Sequence, residues 1–202
     1  MKFITIQDGH RCYYGGDQDW LPGKTRRDYG CGIIACANLV LQLQKNTDLV
    51  SKEDYLACAR EIYRKLLVLP FLGLNGLSLA GSLNRLFRRG KLPYRASWGV
   101  RRAAFPVKLD EMLQKGIPVI LAVGPRFPKF WSTKKVCMRG KDGTTHWTAG
   151  HYVLITEREG DRLTVSSWGR EYYISLQEYL NYRREIGSFL FSNIMLIRKI
   201  ED

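Results

Sequence analysis

The chain has 202 residues, of which 45% are hydrophobic and 12% aromatic, and its formal net charge is +13. This composition excludes a disordered chain, and the length allows one well-buried core. No break in composition forces a second domain, so we expect a single domain over residues 1–202. The longest apolar runs, near Ile33–Leu43 and Ile117–Val123, are shorter than a membrane span.

Helical patterns dominate the first half of the chain. Residues 8–30 form a glycine-rich segment, which predicts a long loop. Its tyrosines and Trp20 indicate that this loop is ordered. Ser51 is a helix N-cap followed by early acidic residues. The predicted elements are a short edge strand over Phe3–Ile6 and helices from Cys31 to about residues 44–46, from Ser51 to about Leu69, and over Leu77–Arg89.

Strand patterns dominate the second half. Ser175 opens a capping box for one further short helix, and Gly160 marks a hairpin. The predicted strands are Tyr94–Trp98, Pro118–Val123, Lys134–Arg139, Tyr152–Glu157, Arg162–Ser166, Tyr172–Ile174 and Phe189–Ile200, with a helix over Val107–Lys115. We therefore predict an α+β fold in which a central cysteine-bearing helix packs on a mostly antiparallel sheet.

Cys31 is the first residue of the most apolar predicted helix. A helix N-terminus presents unpaired N–H groups and a positive dipole end, and both favour a thiolate. Cys36 lies about 140° around the axis of the same helix and fits an inert core cysteine. Cys31 is therefore the candidate nucleophile.

Three histidines are available as the base that a cysteine nucleophile needs. His10 lies in the N-terminal loop, and His146 lies near a predicted turn. His151 follows Gly150 directly before an apolar strand, where a polar residue can face a cleft while its neighbours are buried. His151 is the preferred base, although without Cys31 each histidine would be interpreted as an ordinary satisfied or exposed side chain.

The next predicted strand ends in a run of polar and aromatic residues, from Thr164 to Gly169. A hairpin of this length brings the run back beside His151. A side chain near Ser166 could therefore accept a hydrogen bond from the His151 ring.

The order of these motifs resembles the papain-like cysteine peptidases, and more closely their bacterial C39-like branch. That branch has Cys-Gly at the start of its central helix, Gly-His opening a hydrophobic strand, and Asp-Pro-Trp-Gly or Asn-Ser-Trp-Gly at a third position. This sequence has Cys31-Gly32, Gly150-His151 and Ser166-Ser167-Trp168-Gly169. The resemblance spans residues 15 to 183.

The resemblance implies a papain-like fold and a cysteine peptidase-like hydrolase that works through an acyl-enzyme. Cys31, His151 and Ser166 would be catalytic, and Gln18 would supply an amide to the oxyanion hole. Trp168 would shield the hydrogen bond between His151 and Ser166 from water, or would only pack in the core.

Two positions depart from the family pattern. Ser166 stands where the family has Asn or Asp, and its hydroxyl is shorter and uncharged. Thr25 occupies the usual position of the oxyanion glutamine, so Gln18 is either a substitute or an ordinary loop residue. These departures leave two alternatives open: an acyltransferase on the same fold, or a catalytically weak or inactive C39-like binding module.

The substrate implied by the resemblance is a peptide or another acyl-bearing group. Trp20, Trp131 and Trp168 are predicted to line its cleft, together with Phe127 and Phe130. The net charge of +13 would attract an acidic substrate or partner. The sequence does not indicate an oligomeric state.

Basic residues occur as scattered short pairs rather than as one long block. Such a surface attracts polyanions, and a nucleic-acid-associated domain is a third hypothesis. The pairs do not form a binding arm, and no aromatic-glycine signature of an RNA module occurs. We therefore interpret the charge as a solvated basic surface.

The remaining motifs predict neither a cofactor nor a metal. Cys12, Cys36, Cys58 and Cys137 contain no Cys-x-x-Cys pair, and no calcium loop, phosphate loop or dinucleotide fingerprint occurs. An odd number of cysteines suits a reducing compartment, and the sequence begins without a signal peptide. We therefore expect a cytoplasmic protein without a membrane segment.

Overall fold

Helices and sheets are mixed in this chain, and the predicted α+β class is confirmed. The fold is taken from a computed structural model, which describes residues 2–44, 48–64, 75–125, 129 and 131–200. Within these ranges the helices are α1 (Lys24–Tyr29), α2 (Cys31–Gln44), α3 (Lys52–Tyr63), α4 (Gly76–Arg89), α5 (Phe105–Gln114) and α6 (Leu176–Glu185). None of these helices is both long enough and apolar enough to cross a bilayer.

The strands form three sheets. They are β1 (Thr5–Asp8), β2 (Arg11–Tyr14), β3 (Leu49–Ser51), β4 (Tyr94–Trp98), β5 (Val119–Val123), β6 (Val136–Gly140), β7 (Thr145–Thr148), β8 (His151–Glu159), β9 (Arg162–Ser167), β10 (Arg170–Ser175) and β11 (Met195–Lys199). The largest sheet is antiparallel throughout, in the order β5-β8-β9-β10-β6-β7. The others are β2-β1-β3 and β11-β4.

The cap residues predicted from the sequence begin their helices. Ser51 accepts a hydrogen bond from the N–H of Asp54 at 3.1 Å, and Ser175 accepts one from the N–H of Glu178 at 3.0 Å. Each bond satisfies one of the amide groups that lack a partner inside the helix. The predicted end of the second helix, at Leu69, lies outside the described residues.

Local patterns were wrong where pairing partners lie far away in the sequence. The strand predicted as an edge is central, because β1 lies between β2 and β3. The predicted loop over residues 8–30 contains β2 and α1, while His146 lies near a turn as predicted, as the second residue of β7 after the β6–β7 hairpin. The strand predicted over Phe189–Ile200 is confined to Met195–Lys199.

The six-stranded sheet is strongly curled. Only residues 149 and 150 connect β7 to β8, yet these strands are separated by three others in the sheet. In a flat sheet they would lie about 19 Å apart, whereas three Cα steps span at most about 11 Å. The sheet must therefore bend until the end of β7 approaches the start of β8.

Helix α2 is the central element of the fold. It packs against β8 and β5 on one side and against α3 and α4 on another. Every residue from Gly32 to Val40 is buried, as the apolar sequence predicts. Asn38 is the polar exception in this run: it accepts from the Gly16 N–H at 2.9 Å and donates to Ser166 Oγ at 3.3 Å.

Candidate active site

Cys31 begins α2 and faces the start of β8. Gly30 O accepts hydrogen bonds from the N–H groups of Ile33 and Ile34 and thereby starts the helix. The main-chain N–H of Tyr152 donates to the Cys31 sulfur at 3.4 Å. Burial raises the pKa of the Cys31 thiol, and the N–H groups of Tyr152, Gly32 and Cys31 oppose this effect. The helix N-terminus therefore does not by itself keep this sulfur ionised, because the desolvation of the charged form is the larger effect.

His151 is the first residue of β8 and is only 7% exposed. Burial lowers its pKa to about 4, and the nearby His146 adds to the shift. The ring is therefore neutral at pH 7. A neutral imidazole can accept a proton, so His151 is in the protonation state that a general base requires.

The hydroxyl that contacts His151 belongs to Ser167, not to the predicted Ser166. His151 Nε2 lies 2.7 Å from Ser167 Oγ. Ser166 Oγ instead donates to the main-chain oxygen of Tyr14 at 2.7 Å and accepts from Asn38. Neighbouring side chains of a strand point to opposite faces, so the two serines of β9 have different partners.

Trp168 lies flat against the His151 ring. The two ring centroids are 4.3 Å apart, and the planes differ by 15°. Trp168 and Gly169 form the two-residue turn between β9 and β10, with φ values of +47° and +67°. This φ is unusual for a bulky residue, so the turn holds the indole in a strained conformation next to the base. Trp168 thus covers His151, as predicted, although the bond beside it is made by Ser167.

Gln18 lies in a single 3-10 turn, Gln18–Trp20, that precedes α1. Its side-chain nitrogen donates to the Arg27 main-chain oxygen at 2.6 Å. A primary amide has two N–H groups, so one donor remains for another acceptor. Gln18 therefore fixes its own loop through one N–H, and it also lines the cavity that Cys31 and His151 share.

One small cavity is shared by most of the predicted catalytic residues. Its volume is about 10 Å³, which is the room needed by about one water molecule. Its wall is formed by Gln18, Cys31, Ile34, Ala35, His151, Tyr152, Ser166, Ser167 and Trp168. Among the contacts of the described residues, none is a hydrogen bond between the Cys31 sulfur and the His151 ring.

Two of the three predicted cleft tryptophans lie outside this cavity wall. Trp20 packs edge-on against Tyr13 and Tyr55, with centroid distances of 5.0 and 5.9 Å. Trp131 is 79% exposed. Phe127 and Phe130, also predicted at the cleft, lie outside the described residues.

The five cysteines are all free thiols. Cys36 and Cys137 are buried, Cys58 is half-buried and Cys12 is exposed. In the parts of the chain described here, no group of three or more His, Cys, Asp or Glu side chains is arranged to hold a metal ion. Cys31 shares a cavity with His151.

The sequence analysis missed three features of this site. These are Ser167 as the partner of His151, the Tyr152 N–H at the sulfur, and Asn38 as the link between α2 and the Tyr14–Gly16 segment. Only the first had a usable signal. Two turn residues with Gly second predict a tight hairpin, which would have put Ser167 directly before the turn.

Fold and site together describe an α+β protein with a thiol, a neutral imidazole and a carboxamide at one small cavity. Comparison of the chain with protein-family models, with curated proteins and with solved structures finds no match. The functional argument therefore depends on the site itself.

Proposed function

We propose that this protein is a cysteine peptidase-like hydrolase of papain-like, C39-like type. Its thiol attacks an amide or related acyl carbonyl and forms an acyl-enzyme. The observation that carries this proposal is the cavity shared by Cys31, His151 and Gln18 at the N-terminus of the central helix. The substrate would be a peptide or another acyl-bearing group, and no cofactor takes part.

The topology supports a papain-like arrangement. A buried helix headed by Cys31 packs against a curled antiparallel sheet whose strand β8 begins with His151. A Ser-Trp-Gly turn then returns to cover the histidine. The order of Cys-Gly, Gly-His and Ser-Trp-Gly along the chain agrees with this arrangement. The five free thiols fit our expectation of a reducing cytoplasm.

The proton transfers follow from the neutral state of the two groups. With its proton on Nε2, the His151 ring donates to Ser167 Oγ, and Nδ1 keeps the lone pair that accepts the proton of Cys31. The sulfur then attacks the acyl carbon, and its electron pair forms the new C–S bond. Gln18 and the N–H of Cys31 donate to the carbonyl oxygen as it becomes negative. His151 returns the proton to the leaving group, and water later releases the acyl group.

An acyltransferase remains the nearest alternative, because it differs only in the final acceptor. A weak or inactive binding module is the second alternative. Two observations favour low activity: the hydroxyl of Ser167 carries no charge to stabilise an imidazolium, and burial holds the pKa of His151 at about 4. The cavity beside the sulfur must also open before any acyl group can enter, since its volume of about 10 Å³ has room for only about one water molecule.

Site-specific alkylation tests the proposal. In a Cys12→Ser background, which removes the exposed thiol, iodoacetamide should modify Cys31 faster than the half-buried Cys58. His151→Ala should lower the alkylation rate of Cys31 by at least about tenfold, since a general base typically contributes about 10²- to 10⁴-fold. The alkylation rate of Cys58 should stay unchanged. Mass spectrometry of the peptides gives each rate.

An activated ester then separates catalysis from simple reactivity. The wild-type protein should form a thioester at Cys31 and turn over when water or an amine is the acceptor. A faster turnover with amine would indicate the acyltransferase. Equal slow labelling of Cys31 and Cys58, with no effect of His151→Ala and no thioester, would remove the enzymatic function and leave the binding module.

A further inference from the structure

The main-chain N–H of Tyr152 belongs to the second residue of β8, one position after His151. Tyr152 of β8 is paired with Ala122 of β5, but Ala122 bonds elsewhere: its N–H donates to Asn193 O at 2.9 Å and its oxygen accepts from the Tyr179 hydroxyl at 3.1 Å. On the other edge of β8, pairing with β9 starts only at Leu154. Around Tyr152, β8 lies against the N-terminus of α2, since α2 packs on β8 and its first residue contacts this N–H.

This N–H donates a hydrogen bond to the Cys31 sulfur at 3.4 Å. Sulfur hydrogen bonds are longer than those to oxygen, and a bond to an ionised acceptor is stronger than one to a neutral acceptor. The two other N–H groups that act on the sulfur, those of Cys31 and Gly32, belong to the first turn of α2. Tyr152 thus supplies a donor to the sulfur from outside the helix.

Three titratable groups of the described residues, on β8 and α2, carry no positive charge at neutral pH. His151 is neutral there, because burial holds its pKa at about 4. The phenol of Tyr152, on the same strand, also stays neutral because burial raises its pKa. Cys36 on α2 is a buried thiol whose pKa is likewise raised. A negative sulfur would therefore depend on main-chain dipoles rather than on an ion pair.

We infer that the Tyr152 main-chain N–H is a further catalytic group, which holds the Cys31 sulfur as it becomes negative and aims it at the acyl carbon. The inference rests on the function proposed above. It predicts that two consecutive residues at the start of β8 have different roles. The His151 side chain accepts the proton of the thiol, and the Tyr152 N–H stabilises the thiolate that remains. No bond is made or broken by Tyr152 itself.

An ester at position 152 tests this inference. Replacing Tyr152 by its α-hydroxy acid analogue, 4-hydroxyphenyllactic acid, removes the N–H and keeps the side chain. The matched control places the same analogue at Tyr173, a ladder residue of β10. We expect the iodoacetamide rate at Cys31 to fall about tenfold with the ester at 152, since a hydrogen bond to a charged group is lost. The apparent pKa of the thiol should rise, and the ester at 173 should change neither.

The outcomes separate this inference from the proposed function. Equal Cys31 rates in the two ester variants would overturn the role of Tyr152, while a His151-dependent wild-type rate would leave the enzyme intact. Should the ester at 152 prevent folding, the amide proton of ¹⁵N-labelled Tyr152 gives the answer by NMR. It should move downfield as the thiol ionises, and this movement should be absent in Cys31→Ala. A Tyr152 amide that does not respond would also overturn the inference.

Discussion

The Nε2 atom of His151 lies 2.7 Å from the hydroxyl of Ser167, while the adjacent Ser166 hydroxyl donates to Tyr14 O on the other side of β9. Both serines are buried, at 4% and 2% exposure. One of them can therefore orient the base, and the other can only hold the fold together. Substituting each serine separately therefore tests which of them orients the base, and the other substitution serves as the control.

Ser167→Ala should slow alkylation of Cys31, because the His151 ring loses the bond that fixes its tautomer. A neutral hydrogen bond contributes about 1 kcal/mol, so we expect a decrease of about fivefold. Ser166→Ala should leave this rate unchanged. It should instead lower the free energy of unfolding by about 1–3 kcal/mol, since Tyr14 O and the Asn38 amide lose a buried partner. If Ser166→Ala slowed the alkylation of Cys31 and Ser167→Ala did not, Ser166 rather than Ser167 would be the residue that orients His151.

The buried His151 should make the protein sensitive to acid. Its pKa is about 4 in the folded protein against the ordinary 6.5, so the unfolded chain binds more protons between these values. The free energy of unfolding should stay constant above pH 6.5, fall by about 3 kcal/mol down to pH 4, and lose no more from this group below that.

Urea unfolding at several pH values measures this effect. His151→Gln, which cannot titrate, should remove the decrease between pH 6.5 and 4. His146→Gln changes an exposed histidine of β7, and this variant should keep most of the decrease in the free energy of unfolding. An unchanged slope in His151→Gln would show that the ring does not titrate at about pH 4.

Trp168 stacks on His151, and we expect it to keep water away from the imidazole ring. Trp168→Asn should be tolerated by the turn, because Asn-Gly is favoured where both residues have positive φ. Since the stacked indole would be gone, the pKa of His151 should rise from about 4 towards its ordinary value. NMR titration of the ring measures this. Trp147→Ala serves as the control, because Trp147 is 58% exposed and is absent from the wall of the cavity; an equal rise in both variants would contradict the shielding role.

Gln18 should affect acylation but not alkylation. Iodoacetamide forms no oxyanion, whereas attack on an ester does. Gln18→Ala should therefore reduce thioester formation by about 10²- to 10³-fold, as expected for the loss of an oxyanion donor, and should change the iodoacetamide rate little. Parallel decreases in both rates would mean that Gln18 only anchors the loop through Arg27. Equal acylation by the variant and the wild type would make it an ordinary loop residue.

Much of the site could be predicted from the sequence because it depends on local signals. The apolar run after Cys31 predicted a buried helix, and α2 begins at Cys31 and is buried from Gly32 to Val40. His151 was placed at the mouth of an apolar strand by the change from Gly150 to a continuous hydrophobic run, and β8 begins there. The caps at Ser51 and Ser175 were likewise set by residues within one turn.

The tertiary structure alone decided which atoms meet. The sequence suggested an ionised Cys31, but the thiol lies in a desolvated cavity, so its pKa is raised instead. It suggested Ser166 beside the histidine, but the direction of a strand side chain follows from register with β8 and β10, which is set by long-range pairing. The hydrogen bond from the Tyr152 N–H to the sulfur depends on how closely the start of β8 approaches α2. Local sequence determines the elements and the residues that they carry, whereas protonation, orientation and hydrogen-bond partners depend on packing between segments distant in the chain.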